Sequence, residues 1–340
     1  MGDPNEGSRR VRSIVHPHHG SFSHPNIGIR RGLGGWKAAM AELRDLEREL
    51  GTEECITGAT SRAFLQAYSY LGAVDKAWML YNDRRRRKLP MLPSPEDYVP
   101  ESETGYAVES DAELVLTAFM FATATNKRDY QLLNFPKDVV HKVIKDVEQA
   151  KLPLGQGLVQ KSILAFNRAA TVPTRSSREG VQGPKGMDPN HHKAAIAEHA
   201  MGVHKLLTKT GTGNLAAFQP NLRTNLALLR VLVSADQMET VEAKFVDLFY
   251  DLGLFGGNPT ALQAGIDQRP AGTEIGGLRE SIFTCVVFGY ARWGPPGLYK
   301  AREWLQLMCN EGVVVDGLVA NAFVDASLNP PKGRFVAPFV

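Results

Sequence analysis

The chain has 340 residues, of which 43% are hydrophobic and 22% charged, so it carries enough apolar surface for a core and is not disordered throughout. Lys+Arg number 39 against 36 Asp+Glu, a formal net charge of +3, so bulk charge makes no case for nucleic acid and the distribution of charge must decide. Cys55, Cys285 and Cys309 form no C-x-x-C pair, which points to a reducing compartment and to no structural metal.

From the amino terminus, no acidic residue follows Glu6 until Glu42, while Arg9, Arg10, Arg12, Arg30, Arg31 and Lys37 fall in that interval. Residues 1–35 therefore read as an extended basic arm, either the remnant of an organellar presequence or a polar tail. His16, His18, His19 and His24 flank Pro17 without cysteine or carboxylate company, which favours an extended arm over a metal site. Trp36–Leu50 is a charge-laced helix suited to capping an array.

Ser61–Lys88 has apolar residues at Phe64, Leu65 and Tyr68, a break at Leu71-Gly72-Ala73, then Val74, Ala77, Trp78, Leu80 and Tyr81. Both halves have amphipathic helical spacing, and the glycine suits a tight turn, so a helical hairpin is predicted. Arg84, Arg85, Arg86, Arg87 and Lys88 close its second helix. The run reads either as a grip on phosphates or as a helix end that meets the acidic stretch Glu96–Asp111, since no Lys or Arg lies between Lys88 and Lys127.

Ser110-x-x-Glu113 predicts a capping box opening a helix through about Ala124, and a second helix follows over Asp138–Ala150. The apolar run Leu114–Ala124 is shorter than the ~20 residues of a membrane span, so no transmembrane helix is expected. Leu158–Ala169 is a further first helix, its partner displaced to Asn190–Leu207 by the loop Thr171–Pro189. His192, His199 and His204 on that partner read as solvent-facing, and the lone pairs Gly155/Gly157 and Gly211/Gly213 complete no nucleotide loop.

Asn221–Gly253 repeats the hairpin pattern with a break at Ser234–Gln237, and Ser281–Asp316 repeats it again with a break after Trp293. From Ser281 to the next first helix at Leu318 is 37 residues. Alternation with period two is confined to pieces such as Val313–Val315, so strands are not expected. The fold class is all-α: a right-handed helical-hairpin solenoid of five or six hairpins over residues 36–328, with insertions near 89–109, 125–137, 171–189 and 254–276, and a Pro-rich tail over 329–340.

The residues Val286-Val287-x-Gly289-Tyr290-Ala291-x-x-Gly294, with Lys300-Ala301-x-x-x-Leu305-x-x-Met308-x-x-x-Gly312-Val313-x-x-Asp316, resemble a pentatricopeptide repeat whose inter-helix turn is lengthened by Pro295-Pro296. Val319–Ala326 is similar to the start of another repeat, and Ala67–Ala77 to the middle of one; tetratricopeptide repeats are the near competitor. The resemblance implies an organellar protein that binds single-stranded RNA through its first helices, with Thr284 and Asp316 as a base-reading pair favouring guanine and Asn321 at the next fifth position. Arg62 and Leu226, at the equivalent positions elsewhere, depart from that pattern, as does Leu92 at the end of the first unit.

No Ser/His/Asp or Cys/His arrangement is legible, and Glu53-Glu54 and Glu96-Asp97 have no visible partner, so the expectation is a non-enzyme with no cofactor and no small-molecule substrate. Trp78, Tyr81, Tyr290, Trp293 and Trp304 fall on apolar stripes and are assigned to the core. RNA contacts are expected from Arg62, Gln66, Arg223, Arg230, Thr284, Asp316 and Asn321, from the run Arg84–Lys88, and from the basic arm. The expected function is a structural, RNA-binding part of a large mitochondrial or plastid ribonucleoprotein such as the organellar ribosome, with ribosomal RNA and other proteins as partners. The alternatives are a protein-binding scaffold of an organellar complex and an RNA processing or translation factor.

Overall fold

The computed structural model describes residues 11, 33–50, 57–93, 109–122, 127–134, 136–171, 189–210, 217–251, 274–293, 295–310, 312, 313, 315 and 317–328. Every regular element among them is helical. In chain order these are α1 (Leu33–Glu49), α2 (Gly58–Tyr70), α3 (Val74–Arg86), α4 (Asp111–Met120), α5 (Lys127–Asn134), α6 (Pro136–Gln149) and α7 (Gln156–Thr171). They continue as α8 (Pro189–Lys205), which runs into a π-helical turn over Leu206–Thr210, then α9 (Leu222–Ser234), α10 (Met238–Asp251), α11 (Glu274–Ala291), α12 (Pro295–Asn310) and α13 (Gly317–Leu328). No described helix is long and apolar enough to cross a membrane. The chain divides into two compact units, one of Met1–Met187 with Lys205–Phe218, the other of Asp188–His204 with Gln219–Val340.

In the first unit α2 and α3 form a hairpin. The Thr57 side chain accepts the Thr60 amide and caps α2, and Gly72 turns the chain at φ +67°. A Cβ on Gly72 would stand 2.1 Å from the Phe121 carbonyl oxygen, so both the backbone angle and the neighbour demand glycine there. The predicted capping box of Ser110 and Glu113 opens α4, and α2, α4 and α7 pack in series. Phe64, Leu65, Tyr68, Leu114, Leu116, Phe119 and Phe166 are fully buried in this unit. Asp129 of α5, itself buried, accepts the Asp75 amide at 3.1 Å, supplying α3 with the N-terminal acceptor that Ala73 lacks.

The second unit repeats the construction. Adding 164 to a residue number in α2/α3 gives its counterpart in α9/α10: Asn221 caps where Thr57 does, Asp236 takes the left-handed angle of Gly72 at φ +58°, and Met238 begins the second helix where Val74 does. First helices again pack in series, α9 on α11 and α11 on α13. Phe245 meets Phe283 and Trp304 edge to face at 5.2 and 4.6 Å, which ties α10, α11 and α12 together.

Four expectations are corrected. Helix α11 starts at Glu274, inside the stretch assigned to an insertion, and α5 occupies the insertion assigned near 125–137. Helix α4 ends at Met120, short of Ala124, where the Phe121 amide closes on the Thr117 carbonyl. Pro295 and Pro296 form the first turn of α12 rather than lengthening the turn before it, because the first helical amides need no intrahelical partner and proline supplies none. The onsets of neighbouring first helices are consequently far apart: Gly58 to Asp111 is 53 residues, Asp111 to Gln156 is 45, Leu222 to Glu274 is 52 and Glu274 to Gly317 is 43.

Candidate functional site

The basic run at the end of α3 divides by helical phase. Val74, Ala77, Tyr81 and Arg84 recur at three- and four-residue steps and form the buried stripe of α3, so Arg84 points inward although it belongs to a charged run. It meets Asp111, the first residue of α4, which is fully buried. Arg84 Nε donates to Asp111 Oδ2 at 2.7 Å, Nη1 to the Gly58 carbonyl at 2.6 Å and Nη2 to the Pro90 carbonyl at 3.1 Å. Arg62 of α2 donates to Asp111 Oδ1, to the Glu109 carbonyl, and at 3.3 Å to that of Met91. Arg85 stands 3.6 Å from Asp111 and donates to the Leu89 carbonyl.

Three guanidiniums thus surround one carboxylate and hold the carbonyls of both chain segments that flank residues 94–108. The Asp111 amide, donating to the Met91 carbonyl at 2.8 Å, closes the same knot. Burial pushes the Arg62 guanidinium below its usual value, Asp111 opposing and Arg84 adding to the effect. Beside the knot, Glu109 accepts from Tyr70 Oη at 2.7 Å and pairs with Lys161 of α7. Charge on the first helices of this unit is therefore largely matched within the protein. Arg62 and Arg84 were expected as contact residues; the structure places both in this internal cluster, in line with the alternative that the basic run meets the acidic stretch ending at Asp111.

The other half of the run faces solvent. Arg86 and Arg87 both reach Asp83, at 2.6 and 3.5 Å, and Lys88 follows at φ +55°. Next to α3 lies α6: Tyr81 Oη donates to Asp146 Oδ2 at 2.9 Å, and Lys142 Nζ stands 5.7 Å from the Trp78 ring centre and 5.8 Å from that of Tyr81. Trp78 stacks on Tyr81 at 5.7 Å but remains half-exposed, whereas Tyr81 is in the core as expected. Sequence reasoning missed Lys137, Lys142 and Lys145, which occupy the face of α6 opposite Val139, Val140, Val143 and Val147. The strongly amphipathic repeat of Val and Lys was the signal for them.

In the second unit Arg230 of α9 is exposed and Thr284 of α11 half-buried, and the Arg230 charge acts on the neighbouring Cys285. Burial nevertheless pushes the Cys285 thiol up to about 12. Gln66 and Arg223 are half-buried and Asn321 is exposed on α13. Asp316 and the arm residues Arg9, Arg10, Arg12, Arg30 and Arg31 lie outside the described residues. His192 is buried rather than solvent-facing, on the α8 face that carries Ile196, Ala200 and Val203. Among the described residues no three His, Cys, Asp or Glu side chains are placed to hold a metal ion.

No family model matches the chain, and no curated protein is significantly similar to it.

Proposed function

We propose that the chain is a non-catalytic helical-hairpin solenoid that binds RNA and serves as a structural component of a large organellar ribonucleoprotein, such as the mitochondrial ribosome. The observation that carries this reading is the shared construction of the two units: hairpins turned by one left-handed residue, with the first helix of each packed on the first helix of the next. Units of this kind bury in the stack an apolar face that a single hairpin cannot cover, and stacking yields long surfaces suited to polymers rather than enclosed pockets suited to small substrates. Exposed cations at Arg86, Lys88 and Arg230 supply charge for phosphate.

A second reading, a protein-binding scaffold, is favoured by one specific observation: Arg62, Arg84 and Arg85 are spent on Asp111 and on backbone carbonyls. Sedimentation of the native complex with and without ribonuclease separates the two. Collapse of the complex on nuclease treatment is the expected result. An unchanged sedimentation rate with intact protein partners contradicts the RNA reading and leaves the scaffold.

A further inference from the structure

We infer that Arg62, Arg84, Arg85 and Asp111 form a clasp for the neck where the chain leaves α3 and re-enters at α4, and that the α2/α3 hairpin beneath it can fold without their charge. The inference is independent of the RNA reading. It comes from setting the two hairpins against each other at the offset of 164. Buried residues correspond along their length: Thr60 with Thr224, Ala77 with Val241, and Tyr81 with Phe245. At the same offset Arg62 falls on Leu226 and Arg84 on Leu248, both buried. One hairpin thus closes with leucines at the two positions where the other places guanidiniums, so the shared construction makes no demand for charge there. A buried guanidinium carries a desolvation cost that a well-packed leucine avoids, and burial lowers the Arg62 pKa from its usual value. Something other than the hairpin must account for the arginines.

Their hydrogen bonds supply the reason. Among the described residues the three guanidiniums donate to five carbonyls, that of Gly58 in α2 and those of Leu89, Pro90, Met91 and Glu109. Four of the five belong to the neck. Arg84 joins the outgoing segment to α4, with 3.1 Å to the Pro90 carbonyl and 2.7 Å to Asp111 Oδ2. Arg62 reaches from α2 to both segments, to the Met91 carbonyl at 3.3 Å on one and to the Glu109 carbonyl on the other. A planar fork of several donors can bridge in this way, whereas a compact ammonium acts as a point charge. Asp111 orients the pair, since Oδ1 accepts from Arg62 and Oδ2 from Arg84. Directly between the segments, the Asp111 amide donates to the Met91 carbonyl at 2.8 Å and joins positions twenty apart in sequence. Chain entropy opposes closure of a loop of that length, and a single hydrogen bond adds little net stability. The guanidiniums reinforce that one bond from both sides.

The test is hydrogen exchange of the full chain at single-amide resolution, with urea unfolding beside it. In Arg62→Leu/Arg84→Leu/Asp111→Leu the protection factor of the amide at position 111 is expected to fall about tenfold. The amides of Leu71 and Ala77, which bond within the hairpin to the Ala67 and Ala73 carbonyls at 3.0 Å, should change by less than about twofold. The same triple variant should unfold at a higher urea concentration than Arg84→Leu alone, because the single change leaves the buried Asp111 carboxylate short of a partner and the triple change removes the carboxylate as well. Arg62→Lys/Arg84→Lys retains the charge and loses the forks, so it should lower protection at Asp111 while keeping the circular dichroism of the parent. Unchanged protection at position 111 in both variants overturns the clasp. An equal loss at Leu71 and Ala77, or a triple variant that does not fold, overturns it too, because the charge would then belong to the core of the hairpin.

Discussion

At Asp111 one buried carboxylate serves three guanidiniums, and the energetic consequence falls unevenly on a run that looks uniform in sequence. Arg84→Ala should cost about 3 kcal/mol in urea unfolding, because it leaves a buried carboxylate and the Gly58 and Pro90 carbonyls short of donors. Arg86→Ala, whose partner is Asp83 at a solvent-facing helix end, should stay within about 0.5 kcal/mol. Equal losses would contradict the knot. Burial also raises the acid groups of Tyr68 and Tyr81, each beside a carboxylate, and that of Cys285 to about 12. The folded chain then holds protons that the unfolded chain releases, so stability is intact below about pH 9 and falls progressively above it. Alkaline titration followed by circular dichroism should show that decline, and a flat profile from pH 9 to 12 would contradict these burials. Exposed Cys309 should react with iodoacetamide well before Cys285 does.

The hairpin turn locates strain at the element scale. Gly72 and Gly312 have nearly the same angle, φ +67° and +69°, but only Gly72 faces a backbone carbonyl, at 2.1 Å from the position of an added Cβ. Gly72→Ala should therefore cost about 3 kcal/mol and Gly312→Ala about 1 kcal/mol, read as shifts of the urea midpoint. Gly289 lets α11 approach the α9/α10 hairpin, its added Cβ falling 2.7 Å from Met238 Sδ. Gly289→Ala should be destabilising, with part of the loss restored by Met238→Ala in a double-mutant cycle; strict additivity would contradict the contact.

Hairpins were legible where leucine and aromatic spacing was strong, as in α2/α3 and α9/α10, and where a capping box announced the helix, as at Ser110. The first turns of α11 were not, because Glu274-Ile275-Gly276-Gly277 carries two residues of poor helix propensity that tertiary context overrides. Pro295-Pro296 looked like a turn and proved to be a helix start. At the candidate site, Arg84 was readable by phase alone, three residues beyond Tyr81, but the chemistry of the run hid it. Its partner Asp111 was placed correctly on a helix N-terminus, while a charge match across 27 residues of chain leaves no periodic trace.

For the whole molecule, the α2/α3 hairpin of one unit and the α9/α10 hairpin of the other share one plan, with the cap, the left-handed turn residue and the second-helix start at matching positions. The charge of +3 is the difference between 39 Lys+Arg and 36 Asp+Glu, and some of those cations, Arg62, Arg84 and Lys161 among them, are paired within the first unit. Exposed cations are spread over both units, among them Arg44 on α1, Arg168 on α7, Lys145 on α6, Arg230 on α9 and Arg302 on α12. The central claim, a structural RNA-binding role, is tested most directly by crosslinking the native protein to RNA in intact cells and sequencing what is attached. Ribosomal RNA concentrated at one locus is the expected result. No RNA above background, with protein partners retained, would contradict it.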